Sequence, residues 1–280
     1  MKTVLYAHPF VLTFADLRAR GGYPAGISGC FLAADGRFTI RFGGWADKQL
    51  MYPVVNPAQK SVDELDFSAD FTDVWEMKFL RDGYLVSGQK RGDHKYRFYV
   101  TDHAGRICRE LRIGLSHLHA CAQTATGHLL AAYRVEDQIG DIHVPHGLGC
   151  WTTDGQMVDY PHAKEFSACD FVAASDGGIL VGTDDGNAVL IRENGEKIPM
   201  RIARHPADCA AFCARTGKCI FFDSPRREGE GILFHLAQPD AAPERICFTD
   251  GNKELDVQYA DAAGNTLLLA DNERCYLYNL

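Results

Sequence analysis

The stretch 174–200, ASDGGILVGTDDGNAVLIRENGEKIPM, decides how the rest of the chain is read. Short apolar runs at 179–181, 188–191 and 198–200 alternate with turns rich in Gly, Asp and Asn. Runs this short do not make helices of ordinary length. Bounded by Gly-containing turns, they are strands joined by hairpins, because Asp-Gly and Asn-Gly supply the positive φ values that tight turns need.

The same arrangement returns along the chain. AADGRFTI (33–40), DHAGRICR (102–109), TTDGQMVD (152–159) and ENGEKIPM (193–200) each set a strand on either side of a tight turn, and LAQPDAAPERICF (236–248) gives a longer version with Pro. A second hairpin precedes these in MKFLRDGYLVSG (77–88), CAQTATGHLLAAY (121–133), FVAASDGGILVGT (171–183), AFCARTGKCIFFD (211–223) and QYADAAGNTLLLAD (258–271). The glycines that mark the second hairpin are Gly83, Gly127, Gly177 or Gly178, Gly217 and Gly264, spaced by 44, about 50, about 40 and 47 residues. Four short strands recurring at that period form a β-propeller blade. Helical repeats of similar length are excluded, since the apolar residues alternate instead of recurring at three and four.

In this pattern the chain resembles the β-propeller superfamily over nearly its whole length, with no subfamily identified. The Trp-Asp and Gly-His dipeptides of WD-repeat blades and the double glycine of kelch blades are missing. Third strands are expected near 27–33, 96–101, 147–152, 187–192, 231–236 and 274–279, which makes six blades, with five if the first does not form. The expected architecture is all-β, one propeller domain over 1–280, with residues 3–7 closing the ring beside 274–278 and removing the exposed edge. The first blade is irregular. Its early strands are poorly marked around 10–18, and residues 44–72 break the period and read as an insert.

Composition limits the function. The 280 residues are 46% hydrophobic and 24% charged, those of a chain with a real core. A formal net charge of −8 leaves no basic face for phosphates, so no nucleic-acid partner is expected. No signal peptide or bilayer-length apolar run is read, which points to a cytoplasmic protein with no membrane partner. The ten cysteines are scattered singly in apolar runs, the pattern of reduced core thiols. The spacing of Cys209, Cys213 and Cys219 fits no structural zinc pattern.

Phosphate-loop, nucleophile-elbow and zinc-helix motifs are absent. No catalytic residue, metal ligand or cofactor is assigned. Counting eight residues back from each marker glycine gives a row at one channel mouth: Trp75, His119, Asp170, Cys209 and Asp256, with Glu76 and Asp208 beside it. Six-bladed gluconolactonase-like hydrolases are similar in setting acidic ligands at the channel, so a metal-dependent hydrolase or lactonase using His119, Asp170, Asp208 and Asp256 is the alternative function. The histidines at 117, 119, 143, 146 and 162 fall within one repeat.

The main reading is a non-enzymatic protein-binding propeller. The segment SVDELDFSADFTD (61–73) carries Asp63, Glu64, Asp66, Asp70 and Asp73 beside Phe67 and Phe71, with no basic residue. Acids steer a basic partner and aromatics anchor it. The most specific form is an inhibitor or immunity protein that occludes the active site of a basic, nuclease-like toxin.

Overall fold

The computed structural model describes residues 3–43, 47–113, 121–133, 146–175, 177–183, 187–201, 209–213, 215–222, 231–236 and 242–280, leaving aside the side chains of Thr3 and Cys209. Within them lie six antiparallel blades. Blade one is β3 (Ile27–Leu32), β4 (Phe38–Phe42), β5 (Met51–Asn56) and β6 (Ser61–Asp66). Blade two is β7 (Phe71–Leu80), β8 (Gly83–Lys90), β9 (Tyr96–Thr101) and β10 (Ile107–Leu111). Blade three follows with β11 (Cys121–Gln123), β12 (Leu129–Ala132), β13 (Leu148–Trp151) and β14 (Met157–Val158). Blade four is β15 (Cys169–Ser175), β16 (Gly178–Thr183), β17 (Asn187–Ile191) and β18 (Lys197–Arg201). Blade five is β19 (Cys209–Cys213), β20 (Lys218–Phe222), β21 (Gly231–His235) and β22 (Glu244–Thr249). The last blade has β23 (Tyr259–Ala263), β24 (Thr266–Ala270) and β25 (Cys275–Asn279) from the C-terminal region and its fourth strand from the N-terminal one.

That fourth strand is β2, His8–Pro9, which pairs with Leu277 and Tyr276. The N-terminal segment therefore closes the ring, but not over residues 3–7. Those residues form β1 (Thr3–Tyr6), which adds to blade five as a fifth strand parallel to β22. The chain crosses from one blade to the next at Ala7, whose N–H donates to the Thr249 carbonyl at 2.8 Å.

Blade one differs from its sequence reading in two ways. The segment expected as an insert contains β5 and β6, the outer half of the blade, in register from Met51↔Asp66 to Asn56↔Ser61. The strand at 27–32 is thus the first strand and not the third. The region 10–18 holds no strand pair but the start of helix α1 (Phe14–Gly21), capped by Thr13 and Asp16, each bonding the other's backbone N–H. Phe14 and Leu17, one turn apart, bury against Cys30, Ile40, Leu268 and Cys275 between blades six and one. The other five third strands lie where the repeat puts them.

Apolar side chains fill the space between neighbouring blades, and the first strands of blades three, four, five, six, one and two touch in that order around the channel. The nine cysteines with described side chains are reduced thiols, all buried except Cys108. Burial pushes the Cys121 thiol up to about 11 and the Cys275 thiol well above its ordinary range, so these groups pack as small hydrophobes. Cys213 faces Lys218 across the ladder and Cys219 faces Phe212, so alternation sets these two thiols on opposite faces of the blade.

Candidate functional site

The acidic segment 61–73 separates into surface and core. Asp63, Glu64 and Asp66 are exposed on β6, the outermost strand of blade one. The Tyr23 hydroxyl donates to Glu64 Oε1 at 3.1 Å, and the Tyr23 ring stacks on Phe42 with centroids 5.1 Å apart. Burial, then the bond to Glu64, raises the Tyr23 hydroxyl pKa far above its ordinary value. Asp66 accepts from the N–H and the hydroxyl of Ser68, at 2.7 and 2.9 Å. Asp63 accepts no hydrogen bond from a described residue.

The other four members of the expected contact set are structural. Phe67 and Phe71 are 0% exposed in the core between blades one and two, edge to face with centroids 5.7 Å apart, and cannot anchor a partner. Asp70 Oδ2 accepts from the Ile107 N–H at 2.7 Å, tying the start of β7 to β10. Asp73 is buried and accepts from the Gln49 N–H and the Tyr96 hydroxyl. The acid–aromatic alternation is therefore largely the period of a blade edge, with apolar positions turned into the core.

The row at the beginnings of the first strands does not assemble as a site within the described residues. His119 and Asp208 lie outside them, as do His117 and His143. Trp75 lies under the Arg41 guanidinium, 4.4 Å from ring centroid to Cζ. Arg41 is itself buried, donating to Ser28 Oγ at 2.6 Å and to the Asp47 carbonyl at 2.9 Å. Asp170 is buried beside the irregular register at the start of β15, whereas Asp256 is exposed ahead of β23. His162 pairs with Glu165 at 3.0 Å on the outer surface, where Lys197 also bonds Glu165 and holds its carboxyl below the usual range. Among the described residues no three His, Cys, Asp or Glu side chains converge as a metal site.

A concave space lies at the opposite end of the channel. There the first strands run out into their turns around a funnel of about 640 Å³, within the range that holds small ligands. Ala33, Ala122, Ala173, Ala210 and Ala262 line it from five blades, while blade two contributes Lys78 and Phe79. Asp261 enters from β23, its Oδ2 accepting from the Leu32 N–H at 2.7 Å and so joining blade six to blade one. Burial raises the pKa of Asp261, a rise that the Lys78 charge opposes. At the rim Arg37 pairs with Asp35 at 2.8 Å, and Arg81 donates to the Ala125 carbonyl at 2.5 Å. Reading the sequence eight residues back from each glycine leads to the other mouth. The lining alanines stand at no fixed distance before the turn glycines, so no spacing in the sequence marks this mouth.

No protein-family model matches the sequence, and no curated protein matches it. Among solved structures, a chain of the mitotic checkpoint complex is similar at 10% identity over 90% of both chains, with a TM-score of 0.52. The extracellular domain of BT4673 from B. thetaiotaomicron is similar at 11% identity over 91% of this chain and 38% of that one, with a TM-score of 0.50. At such identities the likeness shows the fold alone. The chain is a six-bladed β-propeller.

Proposed function

We propose that the protein is a non-catalytic binding propeller that engages a basic protein through the outer edge of blade one. The observation that carries this is the exposure of Asp63, Glu64 and Asp66 on an edge strand. The Tyr23 hydroxyl already holds Glu64 in place, which lowers the entropy lost on forming an ion pair. A formal net charge of −8 adds long-range attraction for a basic surface. With Phe67 and Phe71 in the core, charge and backbone edge carry the contact in place of aromatic anchors. In its specific form the partner is a basic, nuclease-like toxin whose active site the propeller covers, making this chain the inhibitor or immunity protein.

The test compares two baits in extract from the source cells, the wild-type chain and Asp63→Lys/Glu64→Lys/Asp66→Lys. A basic protein retained by the first and lost by the second is expected, with retention weakening as salt rises because exposed charges are screened. Recovery of the same proteins by both baits would overturn the reading and leave the acids as guards against edge-to-edge aggregation. The toxin form requires in addition that co-expression relieve the toxicity of the captured partner. Growth arrest that is unchanged by co-expression contradicts it.

A further inference from the structure

The funnel holds an opposite pair of charges that do not meet. Lys78 is half-buried on β7 of blade two, and among the described residues its ammonium makes no hydrogen bond or ion pair. Asp261 is fixed on β23 of blade six by the Leu32 N–H, which occupies Oδ2. Both groups line the same funnel, yet among the described residues no salt bridge joins them. Two opposite charges that line one cavity without pairing offer a ligand of opposite polarity one contact for each of its own charges.

The remaining lining limits what can satisfy it. The rim cations are engaged, Arg37 by Asp35 and Arg81 by the Ala125 carbonyl, which leaves Lys78 as the cation for a ligand's anion. The alanine walls are apolar and small, suited to an aliphatic body and too short to reach into the cavity. A volume of about 640 Å³ exceeds what one or two ions need. We propose that the funnel binds a small zwitterion, a free amino acid or a short peptide, with its carboxylate on Lys78 and its ammonium on Asp261. This site is at the channel end and does not depend on the acidic edge of blade one.

The experiment is calorimetric titration of the full chain with L-leucine and with trialanine. Controls are 4-methylpentanoate, which lacks the ammonium of leucine, and isoamylamine, which lacks its carboxylate. At least one zwitterion should bind, and each singly charged analogue should bind about tenfold more weakly or worse, since each loses a charge-assisted contact. Lys78→Met and Asp261→Asn should each raise Kd about tenfold or more while the unliganded chain still unfolds cooperatively. If Lys78→Met does not fold, Lys78→Gln serves in its place, with the same loss of affinity for leucine expected. Tighter binding of leucine identifies a free amino acid, and tighter binding of trialanine a peptide. Absence of heat with both zwitterions up to about 10 mM, ten times a weak Kd of about 1 mM, overturns the proposal. Analogues or variants that bind as well as leucine and the wild-type chain do the same.

Discussion

Blade four and the seam between blades six and one perform the same task by different means. In blade four, β15 to β18 follow one another, with Ser175↔Gly178 closing one turn and Ile191↔Lys197 another. Every strand finds its partner nearby in sequence. At the seam, β2 meets β25 from the far end of the chain, and helix α1 packs into the gap beyond it. The N–H groups of Ala7, Phe10 and Phe14 donate to the carbonyls of Thr249, Cys275 and Glu273 at 2.8, 2.8 and 2.7 Å. Local pairing forms a blade, but only a non-local strand turns six blades into a ring. Closing so long a loop has an entropy cost that rises only slowly with length, and one closure removes an exposed edge for the whole molecule.

If that contrast is right, the largest effect comes from the seam. Deleting residues 1–9 removes β1 and β2 together, and should lower stability by about 5 kcal/mol or more, a Tm drop on the order of 10 °C. A melt that stays within about 2 °C would show that the ring holds without its closure. Next comes a position inside the regular blade. Gly178 has φ +131°, and a Cβ placed there would lie 2.1 Å from the Ile191 carbonyl oxygen. Gly83 repeats this in blade two, with φ +148° and 1.9 Å to the Thr101 oxygen. Gly178→Ala should therefore lose about 3 kcal/mol in chemical denaturation, from strain plus a forced shift of the ladder. A loss under about 1 kcal/mol would mean that the turn yields and the blade is less rigid than the contrast requires.

Much of the regular part is legible in the sequence because hairpin chemistry is local. The strand–turn–strand units and their glycines give the number of blades, and five third strands fall where the period puts them. Blade one is misphased for a physical reason. The turn 33–36 between β3 and β4 has the same hydrogen bonds as the turn 102–105 between β9 and β10, so turn chemistry does not say which pair of strands it joins. Helix α1 is short, and only Phe14 and Leu17 mark its buried face, although Thr13 and Asp16 signal its start. The candidate site is less legible. Burial of Phe67 and Phe71 depends on packing against blade two, and the facing of Lys78 and Asp261 depends on ring closure. Neither is a local property of the sequence.

Two smaller effects sharpen the description of the seam. Thr13→Ala removes the Oγ1 that accepts from the Asp16 N–H at 3.1 Å and should cost about 1 kcal/mol in the same denaturation assay. No change would mean that packing of Phe14 and Leu17 alone sets the helix. Asp261→Asn keeps an acceptor for the Leu32 N–H but removes a carboxyl whose pKa is raised in the folded chain. The native state then binds more protons than the unfolded one, so the wild type loses stability as pH rises from the unfolded carboxyl pKa to the folded one. The Tm of Asp261→Asn minus that of the wild type should accordingly grow as pH is raised from about 4 toward neutrality. A difference that shrinks over that interval would reverse the sign of the burial effect at this interface.

The N-terminal segment is an integral part of the ring. Amide hydrogen exchange on the intact chain tests it most directly, through the N–H groups of Ala7, Phe10 and Phe14. If the segment closes the ring, these amides should exchange only by global unfolding, at the rate of the β24 amides of Leu268 and Leu269. Exchange of the three orders of magnitude faster than β24, with blade four still protected, would show an N-terminal segment resting on a ring that is closed without it.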